Sequence, residues 1–131
     1  MSFRTLARIN AVTSLVFGLS GLILPTALAS GLGLNLDGLA VPVALARLAS
    51  TAYLGYAVLA WMSRDVTDPV ATRAIAAGNA VAWGLGAVVV AAGLITGLGE
   101  PRAWAVVLME VAFATAWSLT LVRTPLAVPA A

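Results

Sequence analysis

The sequence contains no cysteine and no histidine. A chain without cysteine forms no disulfide, no iron–sulfur cluster and no thiol nucleophile. A chain without histidine has no Ser-His-Asp triad, no histidine proton relay and no ordinary haem ligand. The five acidic residues are scattered along the chain, so no group of them has the composition of a metal site. We therefore expect neither a metal nor a cofactor.

Charge is also scarce, because 9% of the residues are charged and 62% are hydrophobic, with a mean hydropathy of +1.04. Soluble domains have about 25% charged residues. A chain of 131 residues is too small to hide so much apolar surface from water. The composition predicts an all-α integral membrane protein with a single domain over residues 1–131. The net charge of +2 gives no indication of nucleic-acid binding.

Four apolar stretches are long enough to cross a bilayer as helices, which takes about 20 residues. They predict a four-helix bundle with spans near 9–29, 43–63, 74–96 and 103–122. Pro25 is expected to end or bend the first span near the far interface. Asp68 and Pro69 have the order of an N-cap followed by the first helical residue. The glycine-rich connection 30–42, which contains Asp37, is predicted to lie against the lipid headgroups and to cap the bundle.

The first stretch has a second interpretation. Arg4 and Arg8 precede an apolar run that ends in Ala27-Leu28-Ala29-Ser30, the order of a signal peptide with a small-residue cleavage site. We favour a retained helix, because the apolar run is longer than a usual signal-peptide core and contains polar residues such as Asn10. The alternative of cleavage after this stretch stays open.

The arginines predict the orientation of the bundle, because arginine in short loops collects on the cytoplasmic side of a membrane. Arg102 falls at one end of the predicted bundle, and Arg47 lies just inside that same face. The other five arginines fall at the opposite end, which predicts cytoplasmic N and C termini and a multi-pass protein of the bacterial inner membrane. These five are Arg4, Arg8, Arg64, Arg73 and Arg123. Membrane lipids, a membrane-protein partner or a second copy are the expected partners.

Small residues four positions apart allow helices to approach closely in a bilayer. Gly78, Ala82 and Gly86 form such a row on the third span and predict helix packing there. Asn10 and Asn79 each begin an Asn-Ala-Val sequence soon after cytoplasmic arginines. They are predicted to lie at similar depth, where their amides are able to bond across helices.

Two charged residues lie within apolar stretches, Arg47 in the second span and Glu110 in the fourth. Both enter from the outer face at comparable depth, so one hypothesis is a polar chamber that binds a lipid headgroup or a quinone. Ser50 and Thr51 share the helical face of Arg47, and Trp117 shares that of Glu110. The alternatives are a structural ion pair, or an Arg47 that reaches the headgroups beside a protonated Glu110.

The second span also carries two tyrosines and an interfacial end. Tyr53 and Tyr56 are expected to pack against neighbouring helices or lipid, because they point away from the face of Arg47. The stretch Leu54-Gly55-Tyr56-Ala57-Val58-Leu59-Ala60-Trp61, followed by Arg64, resembles small uncharacterised bacterial four-helix membrane proteins of the DoxX-like or a related domain-of-unknown-function type. Such proteins have been tied to redox or quinone-linked complexes. The resemblance implies the four-helix layout and transfers no functional residue beyond Arg47.

Two functions are compatible with the sequence. The first is a non-enzymatic accessory or structural membrane subunit, which the lack of catalytic clusters and of large loops favours. The second is a binder or carrier of a lipid-like or quinone-like molecule at an Arg47/Glu110 site. A membrane enzyme is the least favoured, because a single acid lies within the spans for proton transfer.

Overall fold

The computed structural model describes residues 1–34, 36 and 38–125, and all the regular structure in that part of the chain is helical. Asp37, the acid of the glycine-rich connection, and residues 126–131 lie outside the described residues. The prediction of an all-α protein with four long apolar helices is confirmed. The helices are α1 (Phe3–Ile23), α2 (Pro25–Gly31), α3 (Ala40–Ser63), α4 (Pro69–Ile95) and α5 (Trp104–Arg123), with a 3-10 turn at Pro101–Ala103 before α5.

The first predicted span is divided into two helices. α1 begins after Ser2, whose hydroxyl accepts a hydrogen bond from the backbone nitrogen of Thr5 at 3.2 Å. It ends at Ile23, because Leu24 leaves the helical conformation (φ −128°, ψ 57°) and Pro25 has no N–H to continue the hydrogen-bond ladder. Pro25 then begins the seven-residue α2, a position that proline favours.

α4 begins where its cap sequence predicts. The Asp68 carboxylate accepts a hydrogen bond from the backbone nitrogen of Ala71 at 2.7 Å, and Pro69 is the first helical residue. The predicted cap is therefore confirmed, and the helix starts before the span that hydropathy marks at residue 74. Its 27 residues span about 40 Å at ~1.5 Å per residue, more than the ~30 Å hydrocarbon core.

The long helices form two antiparallel hairpins, with α1 packed against α3 and α4 against α5. In the first hairpin, glycine brings the helices close together. A methyl group on Gly18 would lie 2.7 Å from Leu54 Cδ2, and one on Gly21 would overlap the Ser50 hydroxyl. The end of the bundle that holds the start of α1, the end of α5 and the α3–α4 turn is called the terminal end. The opposite end is the loop end.

Large apolar side chains lie on the surface of the bundle. Most of the buried apolar residues are alanines, such as Ala7 and Ala76, whereas large aliphatic side chains such as Leu48 and Val89 are 67% and 70% exposed. A soluble protein buries its large apolar side chains, whereas lipid solvates them and leaves small residues for helix contacts. The described helices therefore have the pattern of a multi-pass membrane protein.

The two loops at the loop end contact each other. The carbonyl of Gly33, in the α2–α3 connection, accepts a hydrogen bond from the backbone nitrogen of Glu100 in the α4–α5 connection at 3.0 Å. Gly33 has a φ of +82°, a conformation that side chains disfavour, and a methyl group there would lie 3.1 Å from Arg102 Cγ. The connection that follows α2 thus closes one end of the bundle and links the two hairpins.

Candidate functional site

Glu110 is the acidic residue that the structure places inside the bundle. It lies two turns into α5 and is 5% exposed. Its Oε2 atom is buried and has no hydrogen-bond partner among the described residues. An unpaired polar group in an apolar interior costs about 1–3 kcal/mol, and more when it is charged. The Glu110 carboxyl is therefore a buried polar group whose hydrogen-bonding capacity the described residues do not fully use.

Gly86 on α4 makes room for this carboxyl. A methyl group on Gly86 would lie 2.8 Å from Glu110 Oε1, closer than real contacts come, and 3.1 Å from Glu110 Cδ. The carboxyl group therefore lies directly against the backbone of α4. This contact explains why glycine, the residue without a side chain, stands at this position.

A first cavity, the loop-side cavity, lies between Glu110 and the connection that closes the loop end. Its volume is about 270 Å³. Ser50 contributes a hydroxyl, but that group donates to the carbonyl of Ala46 at 2.7 Å within its own helix. The other contributors are mostly apolar. They include Phe17 and Gly21 of α1, Leu28 of α2, Leu32, Leu34 and Leu36 of the connection, and Met109 of α5.

The leucines of the connection thus have a role that the sequence did not predict. Leu32, Leu34 and Leu36 form part of the cavity wall, although the sequence suggested a loop lying against headgroups. The capping part of that prediction agrees with the structure, since the connection covers the loop end. Leu39, by contrast, is 48% exposed and lies outside the wall.

A second cavity, the lateral cavity, lies on the other side of Glu110 between α3 and α4. Its volume is about 280 Å³. Tyr53 and Glu110 contribute to the walls of both cavities, so the two spaces adjoin at these side chains. The lateral cavity opens to the bundle surface, because its small wall residues are exposed. These are Ala49, Ala52 and Ala82.

Aromatic side chains fix one wall of the lateral cavity. Trp83 stacks on Phe113 with ring centroids 4.6 Å apart and an interplanar angle of 15°. Tyr53 packs against Trp83 on one side and against Phe17 on the other, with centroid separations of 6.4 and 6.0 Å. Such contacts contribute about 0.5–1.5 kcal/mol each beyond burial, so they hold the wall in place.

A polar network lies behind that wall. Trp83 Nε1 donates to Asn10 Oδ1 at 2.7 Å, and Asn10 Nδ2 donates to Asn79 Oδ1 at 3.1 Å. Asn79 Nδ2 in turn donates to the carbonyl of Ile75 at 2.8 Å. The structure therefore brings Asn10 and Asn79 together across helices, as the sequence suggested, and adds Trp83 as a third member.

Arg47 and Glu110 are not brought together. Arg47 is exposed on the surface of α3, whereas Glu110 is buried, and no salt bridge joins them within the part of the chain that the structure describes. The reason is rotation around the helix. Arg47 precedes the cavity residue Tyr53 by six positions, which places the two about 120° apart on α3.

Three other residues were predicted to line the chamber with Arg47 and Glu110, and one of them lines a cavity. Ser50 lines the loop-side cavity. Thr51 is exposed, and its hydroxyl donates to the carbonyl of Leu48 at 2.7 Å. Trp117 is fully buried in the core toward the terminal end, where it packs edge-on against Phe3 with centroids 5.8 Å apart.

The small residues of the row on α4, Gly78, Ala82 and Gly86, differ in what they contact. Gly86 contacts the Glu110 carboxyl, but a methyl group on Gly78 would meet no atom within 4 Å. Ala82 lines the lateral cavity. The row therefore borders open space along most of its length, although the spacing predicted a helix contact.

Tyr53, Tyr56 and Gly86 are the site residues that sequence reasoning missed. Both tyrosines line the lateral cavity, although they were expected to pack against neighbouring helices or lipid. For Tyr53 the sequence did contain a signal, because Tyr53 follows Ser50 by three residues and lies on the same side of the helix. The spacing of the small-residue row singled out Gly86 for helix packing. Nothing in the sequence indicated its contact with a carboxyl group.

Comparison of the chain with protein-family models, with curated proteins and with solved structures gave no match. The resemblance to DoxX-like proteins therefore stays a prediction. The function of the site has to follow from its own geometry.

Proposed function

We propose that this protein binds an uncharged lipid-like or quinone-like molecule in the two cavities that meet at Glu110. The observation that carries the proposal is the buried carboxyl of Glu110, whose Oε2 atom has no partner among the described residues. A hydroxyl group on the ligand would donate to this oxygen, and a carbonyl group would accept a hydrogen bond from the protonated carboxyl. Either bond would offset the cost of burying the polar oxygen.

The surroundings of the carboxyl support an apolar ligand. Binding sites for small molecules are mostly apolar, with a few polar groups that fix orientation. The two adjoining cavities have about 270 and 280 Å³ and walls made mainly of alanine, leucine and aromatic residues. Together they reach the lower part of the usual range of about 300–1,000 Å³.

The position of Arg47 favours an uncharged ligand over an anionic one. An anionic headgroup in an apolar cavity needs a cation beside it. Arg47 is exposed on another face of α3, and the described walls of both cavities contain no basic residue. The proposed site is therefore centred on Glu110 and does not include Arg47.

A hydrophobic carbodiimide tests the proposal, because it adds to carboxyl groups in apolar surroundings. Trypsin releases the peptide 103–123, in which Glu110 is the single acidic residue, so mass spectrometry of that peptide measures modification at Glu110 alone. The protein in phosphatidylcholine vesicles is treated with and without a ubiquinone or a monoacylglycerol. We expect at least one of the two to slow modification of Glu110 at least tenfold.

The control is Glu110→Gln, which keeps the shape of the side chain and removes the reactive acid. It must abolish modification of the peptide. Native mass spectrometry of wild type from mild detergent then identifies the bound molecule, which Glu110→Gln should retain less well. If neither probe protects Glu110 and no small molecule copurifies, the binding function is refuted and the accessory-subunit hypothesis is favoured.

We also propose that the bundle lies in a bacterial cytoplasmic membrane with both termini in the cytoplasm. The arginine distribution supports this orientation. Arg4 pairs with Asp65 at 3.0 Å, and Arg73 donates to the carbonyls of Leu121 and Thr124 at 2.8 and 2.7 Å, all at the terminal end. Positive charge at that end is typical of the cytoplasmic side.

A further inference from the structure

The lateral cavity continues toward the terminal end as a second space between α3 and α4. This terminal-side cleft has a volume of about 530 Å³. Tyr56 contributes to the walls of both spaces, so they adjoin there. We call the two spaces together the lateral groove. Its described walls come from one face of α3 between Ala49 and Ser63, from one face of α4 between Ala74 and Gly86, and from Glu110 of α5.

The groove is open because α3 and α4 do not pack closely over the described residues. The wall on α4 includes a row of small residues at four-residue spacing, and a methyl group on Gly78 would meet no atom within 4 Å. Gly78 and Ala82 are themselves exposed. The groove therefore faces the surrounding lipid along its length. The row consists of Ala74, Gly78, Ala82 and Gly86.

The dimensions of the groove match one lipid tail. Twelve residues separate Ala74 from Gly86, which is about 18 Å along α4 at ~1.5 Å per residue. One leaflet of a hydrocarbon core of ~30 Å is about 15 Å thick. An apolar chain that lies along α4 would thus cover the thickness of one leaflet.

The upper end of the groove is the buried carboxyl of Glu110. Glu110 is 5% exposed and lines the lateral cavity, and its Oε2 atom has no hydrogen-bond partner among the described residues. A groove for a transmembrane helix of a partner would not need a hydrogen-bonding group at one end. An apolar groove that ends at an unpartnered carboxyl instead fits a molecule with a polar head and an apolar tail.

We infer that the ligand is a single-chain amphiphile whose uncharged head binds Glu110 and whose tail lies in the lateral groove toward the terminal end. This inference rests on the proposed binding function and adds the tail site and the lateral entrance. The ligand enters from the bilayer between α3 and α4, because that side is open whereas the connection after α2 covers the loop end. The small residues of α4 give the tail its space.

Filling the groove without touching Glu110 tests the inference. Gly78→Leu places a large side chain in the terminal-side cleft, eight residues or about 12 Å from Gly86. Gly55→Leu is the matched control, because Gly55 lies on α3 outside the groove and a methyl group there also meets no atom within 4 Å. Both changes add the same side chain to an open position of a membrane-spanning helix.

The measurement is protection of Glu110 from the carbodiimide by short-tailed and long-tailed probes with the same head. The probes are a ubiquinone with one isoprene unit or a full-length tail, and a monoacylglycerol with a short or long chain. Concentrations are expressed as mole fractions in phosphatidylcholine vesicles, which removes the effect of partitioning. For the head that protects, we expect the long tail to act at a tenfold or more lower mole fraction in wild type and Gly55→Leu.

Gly78→Leu should remove this tenfold advantage and leave protection by the short-tailed probe unchanged. Far-ultraviolet circular dichroism checks that the variant is folded, and Gly78→Val is the smaller alternative if it is not. If the long tail has no advantage in wild type, or keeps it in Gly78→Leu, the tail does not lie in the groove and the proposed function stands without it. If no probe protects wild type and no small molecule copurifies with it, the proposed function itself fails.

Discussion

The hydrogen bonds of Asn10 connect the two hairpins through the membrane interior, and their removal should destabilise the protein by a calculable amount. Asn10 is fully buried and forms two bonds across helices, one from Trp83 at 2.7 Å and one to Asn79 at 3.1 Å. Such bonds contribute about 0.6 kcal/mol on average and up to ~1.7 kcal/mol in a membrane protein. Asn10→Leu should therefore lower the free energy of unfolding by about 1–3 kcal/mol.

Asn79→Leu should cost about half as much, because it removes one of these bonds and leaves the bond between Trp83 and Asn10. The double variant should be more stable than the sum of the two single losses predicts, by about 0.6 kcal/mol or more, since the shared bond is lost only once. Thr51→Leu is the control for adding leucine in place of a polar residue, because Thr51 is exposed and bonds only within its own helix.

The assay is reversible unfolding in mixed micelles of a non-ionic detergent and dodecyl sulfate, followed by far-ultraviolet circular dichroism. This signal reports helix content and does not depend on Trp83 as a fluorophore. A loss below about 0.5 kcal/mol for Asn10→Leu, or strict additivity of the two asparagine changes, would refute the claim that this network holds α1 to α4.

Three further predictions concern packing, orientation and capping. Gly21→Ala should destabilise the protein by about 1–3 kcal/mol, because its methyl group overlaps the serine hydroxyl on α3, whereas Gly55→Ala should be neutral or stabilising. Both are measured by the same unfolding assay. Single cysteines introduced at Ser2 and Leu98 should react with an impermeant maleimide on intact cells only at position 98, a clean test because the chain has no cysteine. Asp68→Ala should cost about 0.5–2 kcal/mol by removing the cap of α4, and Asp68→Ser should restore most of that loss.

Each of these predictions has an outcome that contradicts it. Equal stability of the two alanine variants would mean that α1 and α3 are not in close contact. Labelling of position 2 on intact cells would reverse the proposed orientation. An Asp68→Ser variant as unstable as Asp68→Ala would show that the lost carboxylate acts through its charge and not through the cap.

The sequence predicted the parts of the fold that depend on local signals. Hydropathy and length determine the four long helices, because a bilayer requires a minimum apolar length. The cap of α4 was equally predictable, since Asp68 and Pro69 act on the backbone next to them. Pro25 indicated the end of α1 for the same reason. The short helix after it and the contact between the two loops depend on distant residues and had no local signal.

The candidate site was only half predictable, because it depends on the rotation of each helix. Glu110 stood out as an acid in an apolar stretch, and that signal needs no knowledge of its neighbours. Arg47 gave the same signal but lies on another side of α3 from the cavities. Apolar residues surround α3 on nearly all sides, so its sequence does not define which face turns inward. Tyr53 was missed for that reason.

Small residues show a related limit. Gly18 follows Ser14 by four residues and Gly78 begins the row on α4, and small residues at this spacing are typical of helix contacts. Gly18 lies against Leu54, but Gly78 borders the lateral groove. The pattern permits close approach and does not require it, so only the arrangement of the helices distinguishes a contact from an opening.

The polar connections between the hairpins are unevenly distributed around the bundle. The bond between Gly33 and Glu100 joins the loops, and the amide of Asn10 joins α1 to α4. Over the described residues, no hydrogen bond or salt bridge joins α3 directly to α4. Fluctuations that separate the hairpins should therefore widen the α3–α4 side first and leave the opposite seam closed. A bulky molecule from the lipid would then enter when α3 and α4 move apart transiently, and both helices would stay folded.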